Sequence, residues 1–128
     1  MDAVLDHIGR RKEQSIGILG DLLRIPSISA DPERVGDVRR AAEHLAGILR
    51  KEGISQVEIV PTAGHPIVLG THAGDPAAPT VLVYGHYDVQ PIATPDAWTA
   101  PPFEPVVRDG KIWARGSTDD KGQLLTHV

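Results

Sequence analysis

The residues able to do chemistry are concentrated in two short runs, Gly85-His86-Tyr87-Asp88-Val89-Gln90-Pro91 and Arg115-Gly116-Ser117-Thr118-Asp119-Asp120-Lys121-Gly122. A histidine and a carboxylate two residues apart in extended chain point to the same side, because strand side chains alternate with period two. His86 and Asp88 can therefore share one pocket. An imidazole that ligates a metal gives its other N–H to a carboxylate or carbonyl, which fixes its tautomer and its orientation. Asp88 is the candidate catalytic carboxylate, placed either to hold that N–H or to reach a metal-activated water. Asp119 adds a further carboxylate, on a glycine-punctuated loop that leads into a helix at Lys121. Imidazole and carboxylate oxygen together suit zinc, manganese or cobalt, and a chain without cysteine has no thiolate to offer. Each run taken alone also fits a plainer role. His-x-Asp can be a polar strand end closed by a hydrogen bond, and Asp-Asp-Lys-Gly a solvated turn or helix start.

Several elements are needed to position these groups. Thr80-Val81-Leu82-Val83-Tyr84 is β-branched and apolar and predicts a buried strand, from whose carboxyl end His86 would emerge. Upstream, Ala3 to Arg24 carries Val4, Leu5, Ile8, Ile16, Leu19, Leu22 and Leu23 at near-helical spacing, and Pro26 ends it. Gly9, Gly17 and Gly20 weaken that helix by about 1 kcal/mol each against alanine, so packing has to hold it. Asp31 and Pro32 predict the start of a second helix, whose apolar face runs through Val35, Val38, Ala41, Ala42, Leu45, Ile48 and Leu49 to a stop at Gly53. Strands are expected over 57–60 and 67–70, with turn-rich segments between. Ile92 to Pro105 is laden with prolines and predicts an ordered excursion in which Trp98 and Phe103 serve as buried anchors. Asp109-Gly110 is a strong two-residue turn signal and predicts a hairpin over 106–113. His44, His65 and His72 have no motif around them and are read as structural.

Composition narrows the class. With 41% hydrophobic and 23% charged residues, the chain has the make-up of a globular protein with one modest core. A formal net charge of -4 gives no electrostatic case for nucleic acid or an anionic membrane as partner. Without cysteine there can be no disulfide, and the amino terminus lacks both the basic start and the apolar core of a signal peptide. A cytoplasmic location is the default expectation.

Four blocks in order turn these hints into a specific reading: Gly85 to Pro91, then Trp98-Thr99-Ala100-Pro101-Pro102-Phe103-Glu104-Pro105, then Arg108-Asp109-Gly110-Lys111-Ile112, then Arg115 to Gln123. Together they resemble the zinc exopeptidases of the aminoacylase and carboxypeptidase G superfamily, on its carnosinase-like dipeptidase branch. Leu22-Leu23-Arg24-Ile25-Pro26-Ser27-Ile28-Ser29 resembles that family's opening segment. The resemblance implies an α/β fold, the N-terminal part of a zinc-exopeptidase catalytic domain with a mixed β-sheet flanked by helices. It implies that His86 ligates one metal, that Asp119 bridges two, and that Asp88 supports the His86 side. The implied cofactor is Zn2+, two ions per complete site, with Mn2+ or Co2+ as substitutes. The bond from Asp119 to Asp120 is expected to be cis. The implied substrate is a small peptide cut beside a free carboxylate. An N-acyl amino acid is the alternative, for a deacylase of the acetylornithine or succinyl-diaminopimelate type.

The resemblance also has gaps. Trp113-Ala114 stands where the family usually has tyrosine and glycine, which bears on local packing. The family's general base, a glutamate followed by another acidic ligand, lies well beyond the bridging aspartate, and no such pair occurs between Asp119 and Val128. Residues 1–128 are thus expected to be the truncated N-terminal part of a catalytic domain, with the lid or dimerisation domain absent. Such a piece would be inactive alone, and any homodimer would belong to the full-length parent. A noncatalytic fragment is the competing reading.

Overall fold

The computed structural model describes residues 1–128, with the side chain of Pro95 outside the described residues. Helix α1 spans Asp2–Leu23 and helix α2 spans Val35–Lys51. The side chain of Asp31 accepts the Glu33 N–H at 2.9 Å, and a 3-10 turn over Pro32–Arg34 leads into α2, as the Asp-Pro signal predicts. The apolar face of α2 buries Val38, Ala41, Ala42, Leu45, Ala46 and Ile48, the spacing of one helical stripe. Its neighbour α1 is buried only near its end, at Gly20, Leu22 and Leu23. Val4, Leu5 and Ile8 stay exposed, so packing holds the last turn of α1 and not its first half. There the link is a bidentate pair, in which the two terminal nitrogens of Arg11 each donate to a carboxylate oxygen of Glu52 at 2.7 Å.

Two antiparallel hairpins follow. Strand β1 (Gln56–Val60) pairs with β2 (Ile67–Thr71), Glu58 standing opposite Leu69, and α2 packs on this pair. Strand β3 (Val106–Arg108) pairs with β4 (Lys111–Trp113). The turn between them has Asp109 at φ 54° and Gly110 at φ 71°, the doubly positive geometry of the Asp-Gly signal. A five-residue helix α3, Lys121–Leu125, starts where the sequence predicts.

The expected buried strand over residues 80–84 does not form. These residues have no regular structure, and Val81, Leu82 and Tyr84 are 80%, 87% and 86% exposed. A strand is held by a neighbour's N–H and C=O groups, and among the described residues no ladder reaches this segment. His86 therefore does not leave a sheet. It sits in extended chain whose fixed point comes just afterwards, at an isolated parallel bridge between Ile28 and Val89. Trp98 and Phe103 are half-buried; the Arg115 guanidinium lies 5.4 Å from the Trp98 ring centroid, so this anchor is partly a cation–π contact. No helix among the described residues is long and apolar enough to cross a membrane.

Candidate metal centre

The connector between α1 and α2 forms the back of the site. The Val89 N–H donates to the Ser27 carbonyl at 2.9 Å, and the buried Ser27 hydroxyl donates to the Tyr87 carbonyl at 2.7 Å. Around the parallel bridge these bonds hold residues 87–89 extended, so His86 and Asp88 fall on one side as their spacing requires. His86 Nδ1 lies 3.0 Å from Asp88 Oδ1 and 3.2 Å from the Asp88 carbonyl. Ser29 Oγ donates to the other carboxylate oxygen, Asp88 Oδ2. Asp88 thus occupies the rear nitrogen of the ring.

From the far side comes the Asp119 loop. Asp119 Oδ1 lies 3.0 Å from His86 Nε2, so the two expected metal ligands face each other. The peptide bond between Asp119 and Asp120 is cis, as the resemblance implies. Asp120 turns back and accepts the His86 backbone N–H at 3.0 Å through Oδ2. The preceding residue is closely packed: a Cβ on Gly85 would stand 2.9 Å from Asp120 Oδ2 and 2.8 Å from Leu124 Cδ1, so one of these side chains would have to shift to admit it. At Gly122 a Cβ would lie 1.9 Å from the Ser117 carbonyl oxygen, so the loop closes on itself with no room for a side chain. Beneath the loop Lys121 is fully buried, its Nζ donating to the carbonyls of Leu22 (3.0 Å) and Ile25 (2.7 Å). Asp120, Lys121 and Ser29 were not singled out by sequence. The alternation Ser27-Ile28-Ser29, two hydroxyls flanking one apolar residue, is the signal that marks the connector as an extended segment with one polar side.

Charge at the site follows from these contacts. Burial draws the His86 pKa down, but the hydrogen bonds to Asp119 and Asp88 outweigh it, and the imidazole is held above its ordinary value. Burial, with the Asp88 charge added, raises Tyr87, whose hydroxyl donates to the Pro66 carbonyl. Burial lowers Lys121 to about 8, against the opposing pull of Asp88 and Asp37. The histidines read as structural stay out of the centre. His65 Nε2 donates to the Ser29 carbonyl at 2.9 Å, while His44 lies on α2 and His72 just beyond β2.

His86 and Asp119 fit two corners of a metal site: an imidazole nitrogen and a carboxylate oxygen at one rim, with side chains 40% and 79% exposed. Among the described residues no group of three or more histidine, aspartate or glutamate side chains converges on one point. A concavity of about 550 Å³ lies elsewhere, between α1, α2 and α3, lined by Ile8, Leu19, Ile48 and Leu125, and holds none of the three site residues.

Known proteins resemble the chain over nearly its whole length. Residues 82–128 match the family model for peptidase family M20/M25/M40. Across 98% of its length the chain is 33% identical to the Cys-Gly metallodipeptidase dug1 of Schizosaccharomyces pombe, covering 28% of that protein. Across 84% it is 35% identical to the β-Ala-His dipeptidase of Rattus norvegicus, covering 21% of it. The solved structure of the dipeptidase Dug1p from Saccharomyces cerevisiae superposes with a TM-score of 0.89 at 32% identity, over 98% of this chain and 29% of that one. The chain thus spans less than a third of the length of the relatives it matches. Motifs, identity along nearly the whole chain and fold together relate the chain to peptidase family M20/M25/M40, whose model it matches over residues 82–128, and to the dipeptidases named above.

Proposed function

We propose that residues 1–128 form one wall of the catalytic domain of a metal-dependent dipeptidase, with His86 and Asp119 as metal ligands and Asp88 as the carboxylate that orients His86. The observation that carries this reading is the facing pair, His86 Nε2 opposite Asp119 Oδ1, with the ring's other nitrogen already taken by Asp88. Held from behind, the imidazole keeps Nε2 for an ion. Asp119 presents two carboxylate oxygens on an exposed loop and is the group suited to lie between two ions. In this proposal the centre holds two zinc ions, for which manganese or cobalt can substitute, and the remaining donors and the general base come from outside these residues.

When bound, such a zinc pair supplies Lewis-acid polarisation of the scissile carbonyl and brings the pKa of water toward neutrality. The chain's own residues prepare for that. Asp88 holds the proton on His86 Nδ1, so that once Nε2 gives up the proton it shares with Asp119 its lone pair is free for an ion. Asp120 fixes the His86 backbone, and Lys121 anchors the loop that brings Asp119 to the ring. The substrate class is a dipeptide cut beside its free carboxylate, in line with the Cys-Gly and β-Ala-His substrates in the names of the relatives.

Two measurements test the reading. Calorimetric titration of the full gene product with zinc should show binding that His86→Ala and Asp119→Ala each abolish; binding unchanged by either substitution would remove the site. The full gene product, assayed with zinc or manganese, should hydrolyse Cys-Gly and β-Ala-His dipeptides in preference to N-acyl amino acids. The opposite preference would make it a deacylase.

A further inference from the structure

We propose that Ser29 is a positioning residue for the metal-facing imidazole: it holds Asp88 so that Asp88 can hold His86. The inference rests on the reading of His86 as a ligand and adds a residue to it. Asp88 uses its oxygens for different tasks, Oδ1 taking the His86 Nδ1–H at 3.0 Å and Oδ2 the Ser29 hydroxyl. A carboxylate with one oxygen bonded can still swing about its last torsion, which for aspartate is broad and weakly restrained. With both oxygens bonded it cannot, and the ring plane of His86 is fixed with it. Asp88 is one-third exposed, so water would otherwise compete for Oδ2 and leave the ring loosely held.

Ser29 is suited to this task because its own backbone is fixed from both sides. The Ile28–Val89 bridge and the Val89 N–H bond to Ser27 tie the preceding residues to the His86 segment. The His65 ring donates to the Ser29 carbonyl at 2.9 Å and ties it to the β1–β2 hairpin. The hydroxyl therefore reaches Asp88 across 59 residues of chain from an anchored position. A plain structural role, closing the bridge between residues 27–29 and 87–89, would use the Ser29 backbone alone and make the hydroxyl dispensable.

The test uses the full gene product, which supplies the remaining donors, with two readouts, zinc affinity by competition with a chelator and the imidazole 15N and Nδ1–H signals by NMR without metal. Ser29→Ala should weaken zinc binding about tenfold, the range for groups that orient a metal ligand. It should also broaden the Nδ1–H signal of His86. Ser29→Thr and Ser29→Val add similar bulk and differ in the hydroxyl, so Thr should bind zinc close to wild type and Val should behave as Ala. In an Asp88→Ala background the Ser29→Ala effect should vanish, because the hydroxyl acts only through that carboxylate. Equal affinities for the Thr and Val variants, or an undiminished Ser29→Ala effect without Asp88, would overturn the proposal, and the Thr/Val pair decides if Ser29→Ala does not fold. If the wild type binds no zinc, the ligand reading fails, while the Nδ1–H signal still reports whether Ser29 orders the ring.

Discussion

His86 Nε2 and Asp119 Oδ1 stand 3.0 Å apart, although 33 residues of chain separate them. Without an ion they form a hydrogen bond, so a proton occupies the place a metal would take. Burial opposes the charged ring, but the two carboxylates prevail, and the His86 pKa lies above its ordinary 6.5. Metal binding must expel that proton. Zinc affinity should therefore fall about tenfold per pH unit below the raised pKa and level off above it. Asp88→Asn removes one of the groups that raise it, so the bend in the curve should move to lower pH. Chelator competition between pH 5.5 and 8.5 measures both curves, and an affinity flat across that range contradicts the assignment.

Gly122 tests how tightly the Asp119 loop closes. Its hypothetical Cβ lies 1.9 Å from a backbone oxygen, that of Ser117, and backbone cannot step aside as a flexible side chain can. Gly122→Ala should cost about 3 kcal/mol or more in urea unfolding. The same change at Gly36, where nothing lies within 4 Å, should be neutral or slightly stabilising. Equal effects at the two positions would show that the loop relaxes freely.

The amino half of α1 depends on the Arg11–Glu52 pair, since Val4, Leu5 and Ile8 have little to pack against. The Arg11 hydrogen bond holds the Glu52 carboxyl below its ordinary value, with burial opposing. A carboxylate whose folded pKa is depressed contributes stability that is complete above its unfolded value, 4.5, and lost as pH falls through the folded one. Amides of residues 4–12 should thus be protected from exchange at pH 6 and lose most of that protection in Arg11→Ala or at pH 3. Glu52→Gln should lack the acid-dependent step; an acid-insensitive wild type would separate α1 from this pair.

Local periodicity and turn chemistry made part of this fold legible. Val38, Ala41, Ala42 and Leu45 recur at helical spacing and are all buried, and Asp109-Gly110 forms the hairpin turn that its residue types demand. The two-residue step from His86 to Asp88 likewise predicted a shared side, and the ring bond confirms it. Features that depend on distant partners were not legible. Thr80 to Tyr84 has the composition of a buried strand, yet burial needs a neighbour, and among the described residues none is supplied. Apolar spacing marked Val4, Leu5 and Ile8 as helical without revealing that they stay more than half exposed. Lys121 reads as a solvated helix start because the two carbonyls that receive it are 99 and 96 residues away.

That lysine offers a pH signature of its own. Its ammonium meets the carbonyls of Leu22 and Ile25 at the carboxyl end of α1, where orphan acceptors and the helix dipole favour a cation. Burial still dominates and lowers its pKa from 10.5 to about 8. Between those values the unfolded chain keeps the proton that the folded chain has released, so stability must rise with pH across that window. The gain from pH 8 to 10.5 should be on the order of 3 kcal/mol, at about 1.4 kcal/mol for each tenfold difference in proton affinity. Lys121→Met removes the titration but leaves both carbonyls without their donor, so it should lose about 2 kcal/mol at pH 7 and show no rise attributable to this group. Urea midpoints for both proteins at pH 7, 8.5 and 10 read the difference. Parallel midpoints would mean that Lys121 keeps an ordinary pKa, and with it access to water.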